Sequence, residues 1–209
     1  MKDHTQYGEK LIIDNHFQQR LGFFLDIGAA DGITNSNTYH LAQQGWRGVL
    51  VEPCHHFLTS IKKIYEGQTN VRVFEGAVSD FDGETMFYVY ETGGDSQIST
   101  INPHQKQSIE SSGWFKGKFT DEYAVKVLTP QSLLGLMSVP RKIEFVDIDA
   151  EGADMNILNS WPWDQYEVEL FCIEHSMGKD VLIDFMKSKN YSVAFSTAGN
   201  HFFTRMQSV

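Results

Sequence analysis

Acidic side chains stand at the ends of several apolar runs in this sequence, where buried strands of a sheet would finish. The residues at these positions that could do chemistry are Asp26, Glu52, Asp149, Glu151, Glu174 and His175. In open α/β sheets, ligands bind beyond the carboxyl ends of the strands, so these side chains are expected to converge on one site. A carboxylate or an imidazole there can remove a proton from a weakly nucleophilic hydroxyl group. The sequence therefore predicts acid–base chemistry, with Asp149, Glu151, Glu174 and His175 as catalytic candidates.

A divalent metal ion is a second means of activating a hydroxyl group, because a bound metal lowers the pKa of the oxygen that it contacts. Asp149, Glu174 and His175 offer the oxygen and nitrogen atoms that Mg²⁺ or Mn²⁺ accept. A simple base and a metal-bound alkoxide therefore both stay open as mechanisms. Zinc is not expected, since "CHHF" at 54–57 has no second ligand pair at metal-binding spacing.

The turn "GAADG" at residues 28–32 follows the first apolar run and indicates the charge of the ligand. Gly28 and Gly32 form G-x-x-x-G, and the dinucleotide fingerprint G-x-G-x-x-G is absent. A pyrophosphate requires backbone N–H groups without nearby anions, whereas Asp26 precedes this turn and Asp31 lies inside it. These carboxylates favour a cation. S-adenosylmethionine, which carries an ammonium and a sulfonium but no phosphate, fits the turn better than a dinucleotide.

Glu52 lies 24 residues after Gly28, at the end of the second apolar run. A carboxylate in that place can accept hydrogen bonds from both hydroxyls of a ribose. Dinucleotides and adenosyl cofactors share this ribose, so Glu52 does not distinguish between them. The alternative without a ligand is an ordinary strand–helix turn with Glu52 on the surface.

Strand-like and helix-like segments alternate along the chain. Strands are predicted at 22–28, 46–53, 70–78, 83–91, 122–129, 142–152, 166–176, 191–196 and 201–206. Helices are predicted at 10–20, 36–45, 55–67, 130–138, 155–161 and 180–190. This alternation predicts an α/β fold with a doubly wound, mostly parallel sheet, in which the short turn "TAGN" makes the last two strands antiparallel. Residues 91–120 are predicted as a long loop that serves as an acceptor lid.

Composition narrows the class of protein. The 209 residues are expected to form a single domain, 1–209, with 41% hydrophobic residues available for a core. The net charge of −10 disfavours a nucleic-acid partner. Two cysteines do not suggest a disulfide framework, and no segment resembles a signal peptide or a membrane span. A cytoplasmic location without membrane or nucleic-acid partners is the expectation.

Five segments, taken in order, resemble the FkbM-type methyltransferases. They are "QYGEKLIIDNHF", "GFFLDIGAADGITNSNTYHL", "GWRGVLVEP", "GAVSDFDGE" and "FVDIDAEGADMNIL". The resemblance implies a class I, Rossmann-like methyltransferase fold that uses S-adenosylmethionine, with an inserted hairpin or lid. It implies that the turn and the following helix line the methionine end, that Glu52 holds the ribose and that Ala77 flanks the adenine. The implied cofactor-binding residues are Asp26, Gly28, Ala29, Asp31, Gly32, Ser36, Asn37, Glu52, Pro53, Ala77 and Val78.

The resemblance also implies O-methylation of a hydroxyl on a sugar or glycosylated small molecule. Relatives commonly carry Lys where this chain has Asp147, and Glu where it has Asp154. The additional negative charge of Asp147 at the edge of the site makes an anionic acceptor less favourable. A nucleotide-linked oxidoreductase and a non-catalytic adenosyl-binding module are the alternative functions.

Overall fold

The computed structural model describes residues 2–91, 98–175 and 179–206. Its helices are α1 (Glu9–Phe17), α2 (Tyr39–Gln43), α3 (His55–Ile64), α4 (Pro103–Ser112), α5 (Pro130–Leu136), α6 (Asp154–Ser160) and α7 (Lys179–Ser188). Its strands are β1 (Phe23–Ile27), β2 (Arg47–Glu52), β3 (Val71–Glu75), β4 (Ala77–Val78), β5 (Gly83–Glu91), β6 (Lys118–Leu128), β7 (Lys142–Ile148), β8 (Glu167–Glu174), β9 (Tyr191–Ser196) and β10 (Asn200–Arg205). None of the helices in these described ranges has the length and apolar character that crossing a lipid bilayer requires.

Seven strands form the central sheet, in the order β3-β2-β1-β7-β8-β10-β9. Neighbouring strands are parallel from β3 through to β8, and β10 runs antiparallel to both β8 and β9. The sheet is therefore doubly wound and mostly parallel, with antiparallel pairing near one end, as the sequence predicts. The order of the strands reverses between β1 and β7, and crevices that bind ligands form at such switch points.

Strand β1 lies at the centre of this sheet, and each of its five residues is buried. Burial on both faces explains its continuous apolar sequence. Because successive side chains point to opposite faces, Leu25 packs with the helices α5 and α6, whereas Phe24 packs with α1 and Trp46. Asp26 is the polar exception in β1, so its buried carboxyl group requires polar partners.

A second sheet of three strands, in the order β4-β6-β5, lies beside the first. The sequence predicts one strand over 70–78, but this prediction was wrong, because the strand is interrupted at Gly76 and Ala77–Val78 pair with β6 instead. A Cβ on Gly76 would stand 2.6 Å from the carbonyl oxygen of Lys126. The close passage of these two segments therefore requires glycine.

The segment between β5 and β6 is more ordered than predicted. Its described residues, 98–120, contain α4 and the beginning of β6, so the expectation of a long irregular loop was wrong there. The side-chain oxygen of Asn102 accepts hydrogen bonds from the N–H groups of His104 (3.0 Å) and Gln105 (3.4 Å), and Pro103 occupies the first turn of the helix. An Asn–Pro pair of this kind is a helix-start signal that the sequence already contains. Residues 92–97 of the predicted lid lie outside the described residues.

Candidate cofactor-binding and catalytic site

A cleft of about 1020 Å³, its open mouth included, lies over the switch point between β1 and β7. Its walls come from the ends of β1, β2 and β7, from β4 and from residues 99–101. Two further residues, Gln6 and Asn200, contribute from near the two ends of the chain. The carboxyl ends of the central strands therefore converge on one site, as the sequence predicts.

The turn after β1 takes a conformation that glycine favours. Gly28 has φ 97°, and the N–H groups of Gly28 and Ala29 both donate to the carbonyl oxygen of Val51 at 3.1 Å. A Cβ on Gly28 would stand 1.8 Å from the carbonyl oxygen of Asp149. Glycine is therefore required here both for its positive φ and for the contact with the chain that follows β7.

Two buried carboxyl groups lie side by side at this end of the cleft. Asp26 and Asp147 are register partners on the neighbouring parallel strands β1 and β7, and both line the cleft. Burial raises the pKa of Asp26 to about 6, although a hydrogen bond from the Thr38 hydroxyl opposes this shift. Burial, and then the charge of Asp26, raise the pKa of Asp147 above its ordinary value. Such a pair favours a cation as its neighbour.

The amide of Asn37 lies next to this pair and is also buried. Its nitrogen lies 3.3 Å from a carboxylate oxygen of Asp147, to which it donates, and 3.5 Å from the sulfur of Cys172. Its carbonyl oxygen is buried and has no hydrogen-bond partner among the residues that the structure describes. A buried acceptor without a partner is unfavourable, so this oxygen can receive a donor from a ligand in the cleft.

Glu52, at the end of β2, lies on the opposite side of the turn from Asp26 and Asp147. Its carboxylate accepts hydrogen bonds from the N–H groups of Ala30 (2.8 Å) and Cys54 (2.7 Å) and faces the cleft. Burial raises the pKa of Glu52 to about 8, whereas these two hydrogen bonds act in the opposite direction. Each carboxylate oxygen retains acceptor capacity, so the group can accept hydrogen bonds from a vicinal diol.

The cleft beyond Glu52 is mainly apolar. Its lining there consists of Val51, Cys54, Phe57, Ala77, Val78, Phe87 and Ile101. Many of these residues belong to a core cluster that joins α3 to the second sheet. This part of the cleft can enclose a flat aromatic ring between side chains.

Three carboxyl groups gather at the mouth of the cleft, beyond β7 and β8. Oxygen atoms of Asp149, Glu151 and Glu174 all lie within 4.8 Å of one another. Although Asp149 is accessible to solvent, the surrounding protein raises its pKa, first by desolvation and then through repulsion from Glu174 and Glu151. Desolvation and the charge of Glu174 also raise the pKa of Glu151. Carboxyl groups with raised pKa values are suitable proton acceptors near neutral pH.

The loop that carries Glu151 has a left-handed backbone, with φ 47° at Glu151 and 90° at Gly152. Two side chains from the 98–105 segment hold it. The hydroxyl of Thr100 donates to the carbonyl of Glu151 (2.7 Å), and the amide of Asn102 donates to the carbonyl of Gly152 (2.9 Å). From the other side, the Asp154 carboxylate accepts the N–H of Gly152 at 3.2 Å. The turn that positions Glu151 is therefore fixed by side chains from two separate elements.

The charged side chains that line the cleft are all acidic. Among the described residues that line it, five are acidic and none is Lys, Arg or His. A phosphate or other strongly anionic group would therefore meet carboxylates without a compensating cation.

The Methyltransferase FkbM domain family matches residues 26–193, which is most of the 209-residue chain. The chain belongs to this family. Its members are S-adenosylmethionine-dependent methyltransferases. No curated protein matches the chain.

Solved structures share the fold of this FkbM domain at low sequence identity. The FkbM methyltransferase from Methylobacillus flagellatus aligns with a TM-score of 0.54 and 11% identity, over 88% of this chain and 43% of its own. A methyltransferase from Geobacter sulfurreducens aligns with a TM-score of 0.52 and 9% identity, over 98% of this chain and 82% of its own. These likenesses confirm the predicted class I methyltransferase fold. This chain spans less than half the length of the M. flagellatus protein.

Most of the predicted cofactor residues of the FkbM domain line the cleft. They are Asp26, Gly28, Ala29, Ser36, Asn37, Glu52, Pro53, Ala77 and Val78. Asp31 and Gly32 do not line it. The Asp31 carboxylate instead accepts hydrogen bonds from the N–H groups of Ile33 (2.8 Å) and Thr34 (2.7 Å), within its own turn. The negative charge that can attract a cation at this end of the cleft therefore comes from Asp26 and Asp147, not from Asp31.

The predicted catalytic residues are only partly brought together. Asp149 and Glu151 line the cleft and approach Glu174, whereas His175 is not part of this cluster. The ring of His175 packs against that of His201 with centroids 4.7 Å apart. Residues that sequence reasoning missed are Gln6, Asn35, Phe57, Phe87, Ser99, Thr100, Ile101, Asn102 and Asn200.

Proposed function

We propose that this FkbM domain transfers a methyl group from S-adenosylmethionine to a hydroxyl oxygen of a neutral sugar or glycosylated small molecule. The observation that carries the proposal is the buried trio of acceptors at the end of β1 and β7. Asp26, Asp147 and the unpartnered oxygen of Asn37 surround one end of the cleft. A primary ammonium carries three N–H donors, so it can satisfy all three acceptors at once.

The rest of the cofactor matches the rest of the cleft. The ribose diol is expected to donate to Glu52, whose oxygens face the cleft. The adenine is expected to lie in the apolar part near Phe57, Ala77 and Phe87. In this orientation the sulfonium and its methyl group are expected to face the carboxyl cluster beyond β7.

The proposed reaction is a single in-line displacement. The acceptor oxygen forms a bond to the methyl carbon, and the carbon–sulfur bond breaks, so that the sulfonium becomes a neutral thioether. The hydroxyl proton passes to Asp149 or Glu151, whose pKa values are raised by desolvation and by repulsion from Glu174. The protein thus contributes alignment and a proton acceptor, while the cofactor supplies the methyl group and the leaving group.

The one-sided charge of the cleft supports a neutral acceptor. Sugar hydroxyls need hydrogen-bond acceptors, which the carboxyl cluster of Asp149, Glu151 and Glu174 supplies. A phosphorylated acceptor would face this cluster without a cationic residue in the described lining. The same argument disfavours the oxidoreductase alternative, because the pyrophosphate of a dinucleotide would lie near Asp26 and Asp147.

A divalent metal ion is the second candidate for activating the acceptor. The fit is reasonable, since three carboxylates lie within 4.8 Å of one another, although they are Asp149, Glu151 and Glu174 rather than the predicted set that included His175. A bound Mg²⁺ or Mn²⁺ would supply positive charge that stabilises an alkoxide. Residues in the cluster would then act as ligands rather than as the proton acceptor.

Calorimetric titration tests the cofactor assignment. Adenosylmethionine and adenosylhomocysteine are expected to bind and NAD is not. Glu52→Ala is expected to weaken adenosylhomocysteine binding by about 1–3 kcal/mol, the usual effect of leaving buried polar groups unpaired. Glu75→Ala is the matched control, because Glu75 is the register partner of Glu52 on β3 but is exposed outside the cleft. Equal affinity in both variants would place the ribose elsewhere.

Methyl transfer itself is tested with labelled adenosylmethionine and a panel of acceptors. Neutral glycosides are expected to accept the label, and their phosphorylated counterparts are expected to react more slowly. Cofactor binding without transfer to any hydroxyl compound would favour the non-catalytic adenosyl-binding module.

A further inference from the structure

We propose that Gln6 and Asn200 bind the α-carboxylate of the cofactor's methionine part, and that the buried Glu9 holds Asn200 in place for this purpose. This inference rests on the proposed function. The three residues lie outside residues 26–193, the part of the chain that the family match covers. The cofactor site is thus completed by segments close to the two ends of the chain.

The need for neutral donors follows from the chemistry of an amino acid. Its carboxylate is bonded to the same carbon as its ammonium, so the groups that receive the two charges must be neighbours. At the acidic end of the cleft, no described lining residue is Lys, Arg or His. The carboxylate must therefore be received by uncharged N–H or O–H donors.

Side-chain donors near Asp26 and Asp147 are few. Among the described residues, the Thr34 hydroxyl donates to Asp31 (2.7 Å) and the Asn37 amide donates to Asp147 (3.3 Å), whereas the Ser36 hydroxyl accepts the N–H groups of Thr38 and Tyr39 and keeps its single O–H. The amides of Gln6 and Asn200 carry two N–H groups each and line the cleft. Gln6 is exposed, so its amide can turn towards a ligand at little cost.

Glu9 fixes this wall of the cleft. It is fully buried at the start of α1, and its carboxylate accepts hydrogen bonds from the amide of Asn200 (3.0 Å) and the hydroxyl of Thr197 (2.9 Å). The other carboxylate oxygen accepts the N–H of Tyr7 at 2.7 Å, next to Gln6. One buried side chain thus ties the segment that carries Gln6 to the turn that carries Asn200.

Packing confirms that the two segments are in contact. A Cβ on Gly199 would stand 2.5 Å from the ring of Tyr7, so the ring lies against the backbone of the β9–β10 turn. On the other side, Thr5 forms a bridge with Asn35 of the loop that follows the glycine turn. Residues 5–9 therefore span the methionine end of the cleft between two of its walls.

The test compares adenosylhomocysteine with its decarboxylated analogue, which keeps the ammonium and the adenosyl group. Gln6→Glu replaces the amide donor with an anion, so we expect adenosylhomocysteine to bind about 10- to 100-fold more weakly, the effect of losing a hydrogen bond to a charged group. The analogue is expected to bind with equal or higher affinity, because the added carboxylate attracts its ammonium. Gln19→Glu adds the same charge at an exposed site outside this cleft and is the control.

Glu9→Gln keeps the size of the side chain but weakens its hold on Asn200. We expect it to weaken adenosylhomocysteine binding and to leave the decarboxylated analogue unaffected, whereas a general loss of folding would weaken both. Equal weakening of both ligands by Gln6→Glu, or no weakening of either, would overturn the inference and leave the proposed function intact. Failure of the unmodified protein to bind either ligand would overturn the proposed function itself.

Discussion

The α-carbon of Gly28 lies against the carbonyl group of Asp149, so closely that a Cβ would stand 1.8 Å from the oxygen. The N–H of Asp149 also donates to the carbonyl of Ile27 at 3.0 Å. These contacts join the ends of β1 and β7, the strands that border the switch point. The turn at residues 28–32 and the start of the loop that carries Glu151 therefore determine each other's position, and the absence of a side chain at Gly28 allows their close spacing.

Gly28→Ala is expected to impair folding and cofactor binding together, because the methyl group must push the two strand ends apart. Gly45→Ala is the matched control, since Gly45 has a similar φ of 94° but nothing within 4 Å of the added atom. Both variants bear the cost of a left-handed alanine, about 1–2 kcal/mol. In urea unfolding, the free energy of unfolding of Gly28→Ala should be lower than that of Gly45→Ala by about 1–3 kcal/mol. Equal destabilisation would contradict the contact.

The side chain of Asn102 caps α4 and also holds the loop that carries Glu151, and one substitution can separate these two roles. Asn102→Asp retains an oxygen that can cap α4 but removes the N–H donated to Gly152. The turnover rate is expected to fall about 10- to 100-fold, because displacement of the Glu151 loop misaligns the reacting groups. Cofactor affinity and the urea midpoint are expected to change little.

Asn102→Ala removes both the cap and the tether, so it should lose turnover and also about 0.5–2 kcal/mol of stability. An Asp variant that transfers methyl groups at the original rate would show that the tether does not position Glu151.

Glu52 should make the stability of the protein depend on pH. Its pKa is raised from 4.5 to about 8 in the folded state, so between these values the folded protein binds more protons than the unfolded chain. Stability from this group is therefore complete below pH 4.5 and is lost as the pH rises through 8. Glu52→Gln cannot ionise, so its stability relative to that of the original protein is expected to rise between pH 5 and pH 8, whatever the constant cost of the N–H acceptor that it loses. A pKa difference of one between the folded and unfolded states corresponds to about 1.4 kcal/mol in the free energy of unfolding.

Urea unfolding of both proteins at pH 5, 6.5 and 8 measures this difference, without ligand. Other buried carboxyl groups cancel in the comparison because they are present in both proteins. A stability difference that does not grow with pH would mean that Glu52 ionises normally. The variant should bind adenosylhomocysteine more weakly at each of these pH values. A neutral side chain at this position favours stability at high pH, whereas a carboxylate favours binding of the ribose.

The predicted divalent ion has a revised set of ligands that can be tested directly. If the ion activates the acceptor, a chelator should stop turnover and Mg²⁺ or Mn²⁺ should restore it. Glu151→Gln should then raise the metal concentration needed for half-maximal activity about tenfold or more. His175→Gln should leave it unchanged, because His175 lies outside the carboxyl cluster. Full turnover in chelator would exclude the ion and leave Asp149 or Glu151 as the base.

Local sequence features determined the fold and most of the residues that line the cleft at the ends of β1 and β2. The apolar runs of β1, β2, β7 and β8 indicate buried parallel strands, and the carboxylates after them lie at one edge because parallel strands end on the same side of a sheet. The absence of the dinucleotide fingerprint, with Asp26 before the turn, indicates a cationic cofactor. The Asn–Pro pair at 102–103 carried a helix signal of the same local kind, and only the length of the segment obscured it.

The tertiary structure alone decided which of these residues meet. Asp147 joins Asp26 because the parallel register of β1 and β7 places the two side by side. Glu151 approaches Asp149 and Glu174 because its backbone turns into the left-handed region, held by Thr100 from a segment 51 residues away. Glu9 and Asn200 meet across 191 residues of sequence. Strand register and contacts between distant segments depend on packing of the whole chain, which local patterns of residues do not specify.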